Sequence, residues 1–398
     1  MAIDFDLGPE LAGVRERMRG FIDECVIPRE RDEAATGGEL PAAFIAELRD
    51  LARERGVFAP TAPVEFGGLG LDHRGVAVAL EESGRSLIGP LILNCSAPDE
   101  GNILLLDKIA TPAQRERYLG PLARGEVRSA FAMTEPSPGA GADPDQLRTV
   151  ATRDGDGWRI DGQKWLITGA EGAAFSIVMA RTGDNAATMF LVDAENPGMV
   201  NTRHISTIEN GFAGGHSEVT FDNCRVSEAD ILGQLDAGFA NAQVRLGPAR
   251  LTHCMRWLGA ARRAHEIAVR YAADRPMFGT VLAELGMAQQ MIADNEIDIA
   301  AARALIWQAA WRLDQHEPAR QETSLAKVFV AEAVFRIADR SVQLCGGLGV
   351  ADDEMLGRIL REVRPFRIYD GPSEVHRWSL ARRSVRAVRQ GRLPGDYR

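Results

Sequence analysis

The chain has 398 residues, 45% of them hydrophobic and 26% charged, which is the composition of an ordinary globular protein. Its net charge of -10 and its aromatic content of 6% argue against a nucleic-acid-binding protein, because such proteins carry a basic surplus or aromatic stacking platforms. The length predicts two or three domains. The five cysteines are widely spaced, which predicts a reduced protein without disulfides or a metal site. No apolar run reaches 18 residues and the N-terminus does not resemble a signal, so the expected location is the cytoplasm, without a membrane span.

Residues 1–128 are predicted to be helical. Between Pro41 and Gly56, which favour the start and the end of a helix, apolar residues recur at helical spacing. Thr111 precedes Pro112 in the pattern of an N-cap followed by a proline at the first helical position. These signals predict an N-terminal helical domain.

Residues 129–237 change to the alternating pattern of β-strands. The stretch 149–170 alternates apolar and polar residues and is interrupted by two Asp-Gly turn signals. Further alternation over 187–198 and 216–226 predicts a mostly antiparallel β domain. No G-x-G-x-x-G segment joins a strand to a helix, so a Rossmann-type cofactor site is not expected.

Residues 238–398 return to helical periodicity. Three long amphipathic segments, 239–275, 282–314 and 324–347, are predicted to pack together as a helical bundle. The predicted fold class is therefore mostly α with a central β domain.

Five short stretches carry residues suited to binding or catalysis, and each has a structural alternative. The first, 131–143, combines Thr134 with glycines whose backbone N–H groups can approach an anion closely; alternatively it is a linker. The second, 162–170, places Trp165 and Thr168 where a flat ring could be covered and bonded at its edge. The alternative for Trp165 is packing in a core.

The other three stretches lie at helix ends. Arg275 follows a long helix and suits a phosphate, or alternatively compensates the helix macrodipole. Gln343 precedes three glycines within 346–349, of which a helix-ending motif explains only one. Asp370 begins a turn before Pro372, which is predicted at the first position of the next helix, and Asp370 is alternatively the helix cap.

In this order and over this α–β–α plan, the five stretches resemble those of the acyl-CoA dehydrogenase family of flavoproteins. The resemblance extends over nearly the whole chain, from "FDLGPELAGVRERMRGFIDECVIPRE" to "DGPSEVHR". It implies that family's fold, with an N-terminal helical domain (1–128), an antiparallel β domain (129–237) and a C-terminal four-helix bundle (238–398). It also implies that FAD lies between the β domain and the bundle.

The resemblance assigns residues to FAD by position. Thr134 would bond the pyrimidine edge of the flavin, Trp165 would cover the ring, and Thr168 would lie near N5. A neighbouring subunit would hold the adenine and pyrophosphate end, which implies a homo-oligomer, usually a tetramer built as a dimer of dimers. The implied FAD contacts are Met133, Thr134, Gly141, Trp165, Thr168, Arg275, Phe278, Gln343, Gly346, Gly347, Ser373 and Glu374.

The reaction implied by the resemblance is α,β-dehydrogenation of an acyl-CoA thioester, as in the β-oxidation of fatty acids. Asp370 would remove the α proton while the β hydrogen leaves as hydride to flavin N5. The backbone N–H of Asp370 and a ribityl hydroxyl would polarise the thioester carbonyl. Arg250 and Gly371 would contact the substrate, and an electron-transfer flavoprotein would accept the electrons.

Asp370 is a departure, because the family usually has glutamate at this position. Its side chain reaches about 1.5 Å less far, and a misplacement of that order costs about 10²-fold in rate unless it is compensated. The sequence "DGPSEVH" resembles a branch of the family with aspartate here, which favours a working base. Two alternatives stay open: a flavin oxidase of the same fold, of the acyl-CoA oxidase or nitroalkane oxidase type, and a non-catalytic protein that binds acyl-CoA or FAD.

Overall fold

The protein was analysed as a computed structural model, which describes residues 4–34 and 40–393. Within them the chain forms two compact units. The helical unit comprises residues 4–34, 71–90 and 250–393, and the sheet unit comprises residues 40–70 and 91–249. The division into three consecutive domains at residues 128 and 237 stays a prediction.

Helices account for most of the described chain. They are α1 (Gly8–Phe21), α2 (Ile27–Ala34), α3 (Ala42–Glu54), α4 (His73–Ser83), α5 (Gly89–Ile92), α6 (Asp99–Ile109), α7 (Pro112–Gln114), α8 (Gly120–Ala123), α9 (Gly238–Asp274), α10 (Gly286–Asp314), α11 (Arg320–Cys345), α12 (Gly347–Val350), α13 (Leu356–Val363) and α14 (Ser373–Arg389).

The strands are concentrated between α8 and α9. They are β1 (Ser129–Ala132), β2 (Val150–Asp154), β3 (Gly157–Thr168), β4 (Phe175–Gly183), β5 (Ala186–Asp193), β6 (Met199–Ile205), β7 (His216–Ser227) and β8 (Ile231–Leu232), followed after α9 by the short hairpin of β9 (Pro276–Met277) and β10 (Thr280–Val281).

The helix signals in the sequence are confirmed. Thr111 caps α7 in a reciprocal capping box, in which its hydroxyl accepts from the backbone N–H of Gln114 and the Gln114 side chain accepts from the Thr111 N–H. The three long predicted segments become α9, α10 and α11. Helix α10 begins at Gly286 rather than at residue 282, because residues 282–284 form a 3-10 turn first.

One eight-stranded sheet forms the middle of the sheet unit. Its strands lie in the order β6-β7-β3-β2-β4-β5-β8, and β1 pairs with β4 beside this path. Most pairs are antiparallel, as expected, but β1 and β2 both run parallel to β4. Alternate side chains of these strands form a buried apolar core that includes the tilted pair Trp158 and Phe190, with ring centroids 5.8 Å apart.

In the helical unit, α9 packs tightly against the end of α4. A side chain at Gly84 would place its Cβ 2.0 Å from the backbone oxygen of Arg256, and one at Gly259 would lie 2.1 Å from that of Glu81. Only glycine permits such close backbone approach. The buried ion pair between Arg263 and Glu30 adds a further contact between α9 and α2.

Over the described residues, no helix is both long and apolar enough to cross a membrane. In the same part of the chain, no group of three or more His, Cys, Asp or Glu side chains is arranged to hold a metal ion.

Candidate active site

Asp370 lies in a tight turn between the 3-10 turn Arg364–Arg367 and α14. Its φ of 54° and the φ of 93° at Gly371 put two consecutive residues in the left-handed region. Aspartate is one of the few residues with a side chain that tolerates this conformation, and glycine adopts it freely. A non-glycine residue in this region signals a locally constrained backbone of the kind that functional sites hold.

The alternative that Asp370 caps α14 is not supported by the structure. The N-cap of α14 is Pro372, and it makes no side-chain capping bond. The prediction of Pro372 at the first helical position is therefore wrong by one residue. The helix begins one residue later, at Ser373, because Pro372 has an extended ψ of 150°.

Three helices bring polar side chains to the Asp370 turn. From α9, Arg250 Nε donates to the Asp370 carbonyl oxygen at 2.9 Å, and His253 Nε2 lies 3.4 Å from Asp370 Oδ2. From α14, His376 Nε2 faces the same carbonyl oxygen at 3.2 Å. From α11, Lys327 Nζ donates to the Phe366 carbonyl oxygen at 2.5 Å. The structure thus brings together Arg250, Asp370 and Gly371.

The guanidinium of Arg256 orients the His253 ring. Arg256 Nη2 lies 3.2 Å from His253 Nδ1, and because a guanidinium can only donate, Nδ1 must accept. The ring hydrogen of a neutral His253 is then on Nε2, the atom that faces the Asp370 carboxylate. The His253 ring also packs on Tyr369 and Phe366, with centroids 4.9 and 5.9 Å away. His253 Nε2 therefore faces the carboxylate at 3.4 Å.

Burial shifts the ionisation of the groups around Asp370. It lowers the pKa of Lys327 to about 8, against the opposing influence of Cys254 and Asp370, and it lowers the pKa of Arg250, which Asp370 opposes. It also lowers the pKa of His376 to about 4, so that ring is neutral at pH 7. Two cations, Arg250 and Lys327, thus accompany one carboxylate in this half-buried cluster.

The second group of predicted residues lies in the sheet unit. The backbone N–H of Trp165 donates to the Thr134 carbonyl oxygen at 3.0 Å, and the Thr134 hydroxyl donates to the Trp165 carbonyl oxygen at 2.7 Å. Thr134 is exposed and Trp165 is only half-buried, so Trp165 is not a core side chain. Leu166 has a φ of 54° and an exposed side chain, which bends β3 at this point. Thr168, the last residue of β3, is half-buried beside His216.

A buried ion pair between Glu135 and Lys164 supports this surface. Lys164 Nζ donates to Glu135 Oε1 and to the Met133 carbonyl oxygen, both at 2.9 Å. The Glu135 carboxylate also accepts backbone N–H bonds from Arg148 and Thr149 at 2.8 Å. These bonds tie the start of the 131–143 loop to residues 148–149, which follow the loop in sequence, and a plain linker would not require them.

The charges of this pair are held by its surroundings. Burial would raise the pKa of Glu135, but Lys164 and the bonds from Thr149 outweigh it and hold that pKa at about 2. Burial lowers the pKa of Lys164 to about 8 in spite of Glu135. The pair is therefore ionised at neutral pH, with both members hydrogen-bonded.

The remaining predicted residues lie on exposed surfaces, with one exception. Gly141, Gly346 and Gly347 have open space where a Cβ would stand, and Phe278, at the tip of the β9–β10 hairpin, is 92% exposed. Gln343, Glu374 and Arg275 are also exposed, whereas Ser373 is buried. Arg275 directly follows α9, 25 residues after Arg250, which is about 37 Å along a helix axis. One chain therefore does not bring Arg275 to the Asp370 turn.

Sequence reasoning missed several partners of these residues. It did not identify Lys164, Lys327, His216 or His376 as neighbours of the predicted site. One signal was available for Lys164, since it occupies an inward position in the alternating pattern of β3, where a lysine is expected only with a buried partner. The others come from segments distant in sequence, and no local pattern marks them.

Known proteins show where this chain belongs. Its residues 8–126, 130–224 and 236–385 match the N-terminal, middle and C-terminal domains of acyl-CoA dehydrogenase, respectively. A Mycobacterium tuberculosis protein named "Probable acyl-CoA dehydrogenase FadE2" is 38% identical over 96% of each chain. The 3-(aryl)acrylate reductase of Clostridium sporogenes is 34% identical, over 92% of this chain and 96% of the relative.

A solved structure shows the same fold. Butyryl-CoA dehydrogenase from Megasphaera elsdenii superposes with a TM-score of 0.84 and 26% identity, over 94% of this chain and 98% of that one. Against animal relatives named acyl-CoA dehydrogenase family member 11, the chain spans about half of their length, 49%. The predicted fold is confirmed, with a helical N-terminal domain, a β-sheet middle domain and a helical C-terminal domain. This chain belongs to the acyl-CoA dehydrogenase family, whose members are FAD flavoproteins.

Proposed function

We propose that this protein is an FAD-dependent dehydrogenase that forms a double bond between Cα and Cβ of an acyl-CoA thioester, with Asp370 as the base. The observation that carries the proposal is the Asp370 turn. A carboxylate that does not cap the helix after it is held in a left-handed backbone, among the side chains of three helices.

The residues around Asp370 suit the role of a base. Arg250 and Lys327 place positive charge beside the carboxylate, which favours its ionised, proton-accepting form. His253 Nε2 faces Oδ2 at 3.4 Å, where a proton on the ring adds to the positive environment of the carboxylate. Arg250 and His376 both address the Asp370 carbonyl oxygen and so fix the turn. The shorter reach of aspartate is then offset by orientation of the side chain rather than by its length.

The sheet-unit surface fits FAD. Exposed Thr134 is hydrogen-bonded to half-exposed Trp165, and the loop that carries Thr134 and the open Gly141 is held at its start by the buried Glu135–Lys164 pair. When bound, FAD supplies the acceptor for the hydride. On this proposal Trp165 covers the ring, Thr134 bonds its polar edge and Thr168 lies at the reacting side.

We also propose that the protein works as a homo-oligomer, in line with the family resemblance. Arg275 and Phe278 lie on an exposed hairpin, about 37 Å along the helix from Arg250, and are suited to a ligand held by a second copy. Gln343, Gly346 and Gly347 form an exposed helix end of the same kind. An electron-transfer flavoprotein is the proposed electron acceptor.

The decisive experiment compares wild-type protein with Asp370→Asn. The wild type should be yellow and should bleach anaerobically with at least one member of a panel of acyl-CoA thioesters of different chain length. Asp370→Asn keeps the shape of the side chain but removes the base, so it should retain FAD and bleach at least about 10²-fold more slowly. Bleaching of Asp370→Asn at the wild-type rate would remove Asp370 from the mechanism.

The reverse reaction is a second candidate, favoured by the similarity to a 3-(aryl)acrylate reductase. The same residues would serve, with Asp370 delivering a proton to Cα. Adding an aryl acrylate, free or as its CoA thioester, to chemically reduced protein separates the two: rapid reoxidation of the flavin supports the reductase. Oxygen consumption without an added acceptor would instead indicate the flavin oxidase, and absence of flavin after gentle purification would indicate a non-catalytic binding protein.

A further inference from the structure

Resting on the proposed function, we propose that Thr168, His216 and Glu209 form a proton relay that takes a proton from the flavin N5 position when the reduced cofactor passes its electrons on. The relay lies entirely within the sheet unit and is separate from the Asp370 cluster in sequence and in chemistry.

The three side chains form one hydrogen-bonded line. Thr168 ends β3 and His216 begins β7, and the two residues are direct cross-strand partners. Thr168 Oγ1 lies 3.0 Å from His216 Nδ1, and His216 Nε2 lies 3.0 Å from Glu209 Oε1. The edge-on ring of Phe212, with its centroid 5.5 Å away, limits rotation of the imidazole. His216 and Glu209 are each only 8% exposed, while Thr168 is more accessible.

The direction of the hydrogen bonds follows from the carboxylate. Burial would raise the pKa of Glu209, but its hydrogen bonds, first of all the one with His216, outweigh this and lower that pKa. An ionised carboxylate can only accept, so His216 Nε2 carries the hydrogen. In the proposed resting state only Nε2 carries a hydrogen, and the lone pair on Nδ1 accepts the Thr168 hydroxyl hydrogen. This is the order hydroxyl, imidazole, carboxylate in which an imidazole acts as a general base.

The other ionisable groups at this end of β7 lie outside the line. His204, on the neighbouring β6, packs against Gly215 and lies 3.4 Å from the Glu171 carboxylate. Arg128 lies against Gly214 and donates to the Glu171 carbonyl oxygen. The side chains of His204 and Glu171 are 55% and 65% exposed, so solvent weakens their influence on His216.

The chemistry of the proposed function requires such a path. Hydrogen taken from the substrate as hydride must leave as two electrons, to an external electron acceptor, and one proton. At the end of β3, Thr168 Oγ1 accepts this proton while its own hydroxyl proton passes to His216 Nδ1. His216 becomes an imidazolium stabilised by Glu209, and then releases the proton to water. Thr168 is a neutral hydroxyl before and after the step.

The test separates the two halves of the reaction. The flavin of wild type, His216→Gln, Glu209→Gln and the control His204→Gln is reduced anaerobically, once with an acyl-CoA and once with dithionite, and is then mixed with a ferrocenium salt as a one-electron acceptor. We expect the rate of flavin reduction to stay near that of wild type. The rate of flavin reoxidation should fall about 100-fold in His216→Gln and about tenfold in Glu209→Gln, because general-base assistance is lost. His204→Gln should reoxidise within twofold of wild type.

A second readout does not depend on turnover. Solid-state NMR of 15N-histidine-labelled holoenzyme at pH 7 should show a ring protonated at Nε2 only, whose signals vanish in His216→Gln and change tautomer in Glu209→Gln. Wild-type reoxidation in His216→Gln, or an Nδ1-protonated His216, would overturn the relay. If no acyl-CoA reduces the flavin, the proposed function fails, whereas the dithionite series still tests the relay.

Discussion

The buried ion pair under the 131–143 loop gives a prediction of defined size. Replacing Lys164 with methionine keeps most of the side-chain volume but removes the charge 2.9 Å from Glu135. Glu135 would keep its backbone donors and lose its counter-ion, and the Met133 carbonyl oxygen would lose a donor. Since Lys164 is 0% exposed, water cannot replace it without opening the sheet unit.

The expected loss follows from the ionisation of Glu135. Its pKa of about 2, compared with 4.5, corresponds to about 3 kcal/mol of preference for the charged form. Breaking a buried pair by removing one partner costs about 3–5 kcal/mol. Because burial already disfavours the Lys164 charge, we expect the lower end, a free energy of unfolding smaller by about 3 kcal/mol. Replacing Glu135 with glutamine in the same chain should recover part of it.

The loss should also depend on pH. A carboxyl group with a lowered folded-state pKa contributes stability that is complete above its unfolded pKa, 4.5, and disappears as the pH falls through 2. In Lys164→Met the Glu135 carboxyl protonates at a higher pH, which relieves the buried charge. The difference between wild type and Lys164→Met should therefore be smaller at pH 4 than at pH 7.

Urea unfolding followed by far-UV circular dichroism at both pH values measures this. The matched control is Lys108→Met, because the Lys108 side chain is 61% exposed and its Nζ lies 3.8 Å from Asp107 Oδ2. That control should change the unfolding free energy by less than about 0.5 kcal/mol. If Lys164→Met were as stable as Lys108→Met, or if its deficit grew on acidification, the reasoning about this pair would be wrong.

Two further predictions concern the helical unit. Gly84→Ala should lower the free energy of unfolding by about 1–3 kcal/mol, because its Cβ would stand 2.0 Å from the Arg256 backbone oxygen. In urea unfolding the control Gly286→Ala, at the start of α10 with open space at the Cβ, should be at least as stable as wild type, and equal stability of the two variants would contradict the close packing of α4 and α9. Cys254 is fully buried, and burial raises its pKa to about 12. Iodoacetamide at pH 8 should therefore label Cys254 only after unfolding, which peptide mass spectrometry measures, and rapid labelling of the native protein would refute its burial.

Local sequence determined the elements of this fold. Helix α7 begins after Thr111 because the Thr111 and Gln114 side chains each accept a hydrogen bond from the other residue's backbone N–H. This arrangement needs no distant residue. The long helices follow from apolar residues at a period of 3.6, and the strands from alternation. The parallel pairing of β1 and β2 with β4 could not be found in this way, because strand pairing depends on which distant segments share one core.

For the candidate site, the ordered motifs singled out Asp370, Arg250, Trp165 and Thr168. Only the tertiary structure supplied their partners, since His376 and Lys327 approach the Asp370 turn from α14 and α11, and His216 approaches Thr168 across 48 residues. A motif records which residue types stand at a given spacing. The burial that lowers the pKa of Lys327 arises only where separate segments together exclude water. The direction of each hydrogen bond likewise depends on the partner that another segment supplies.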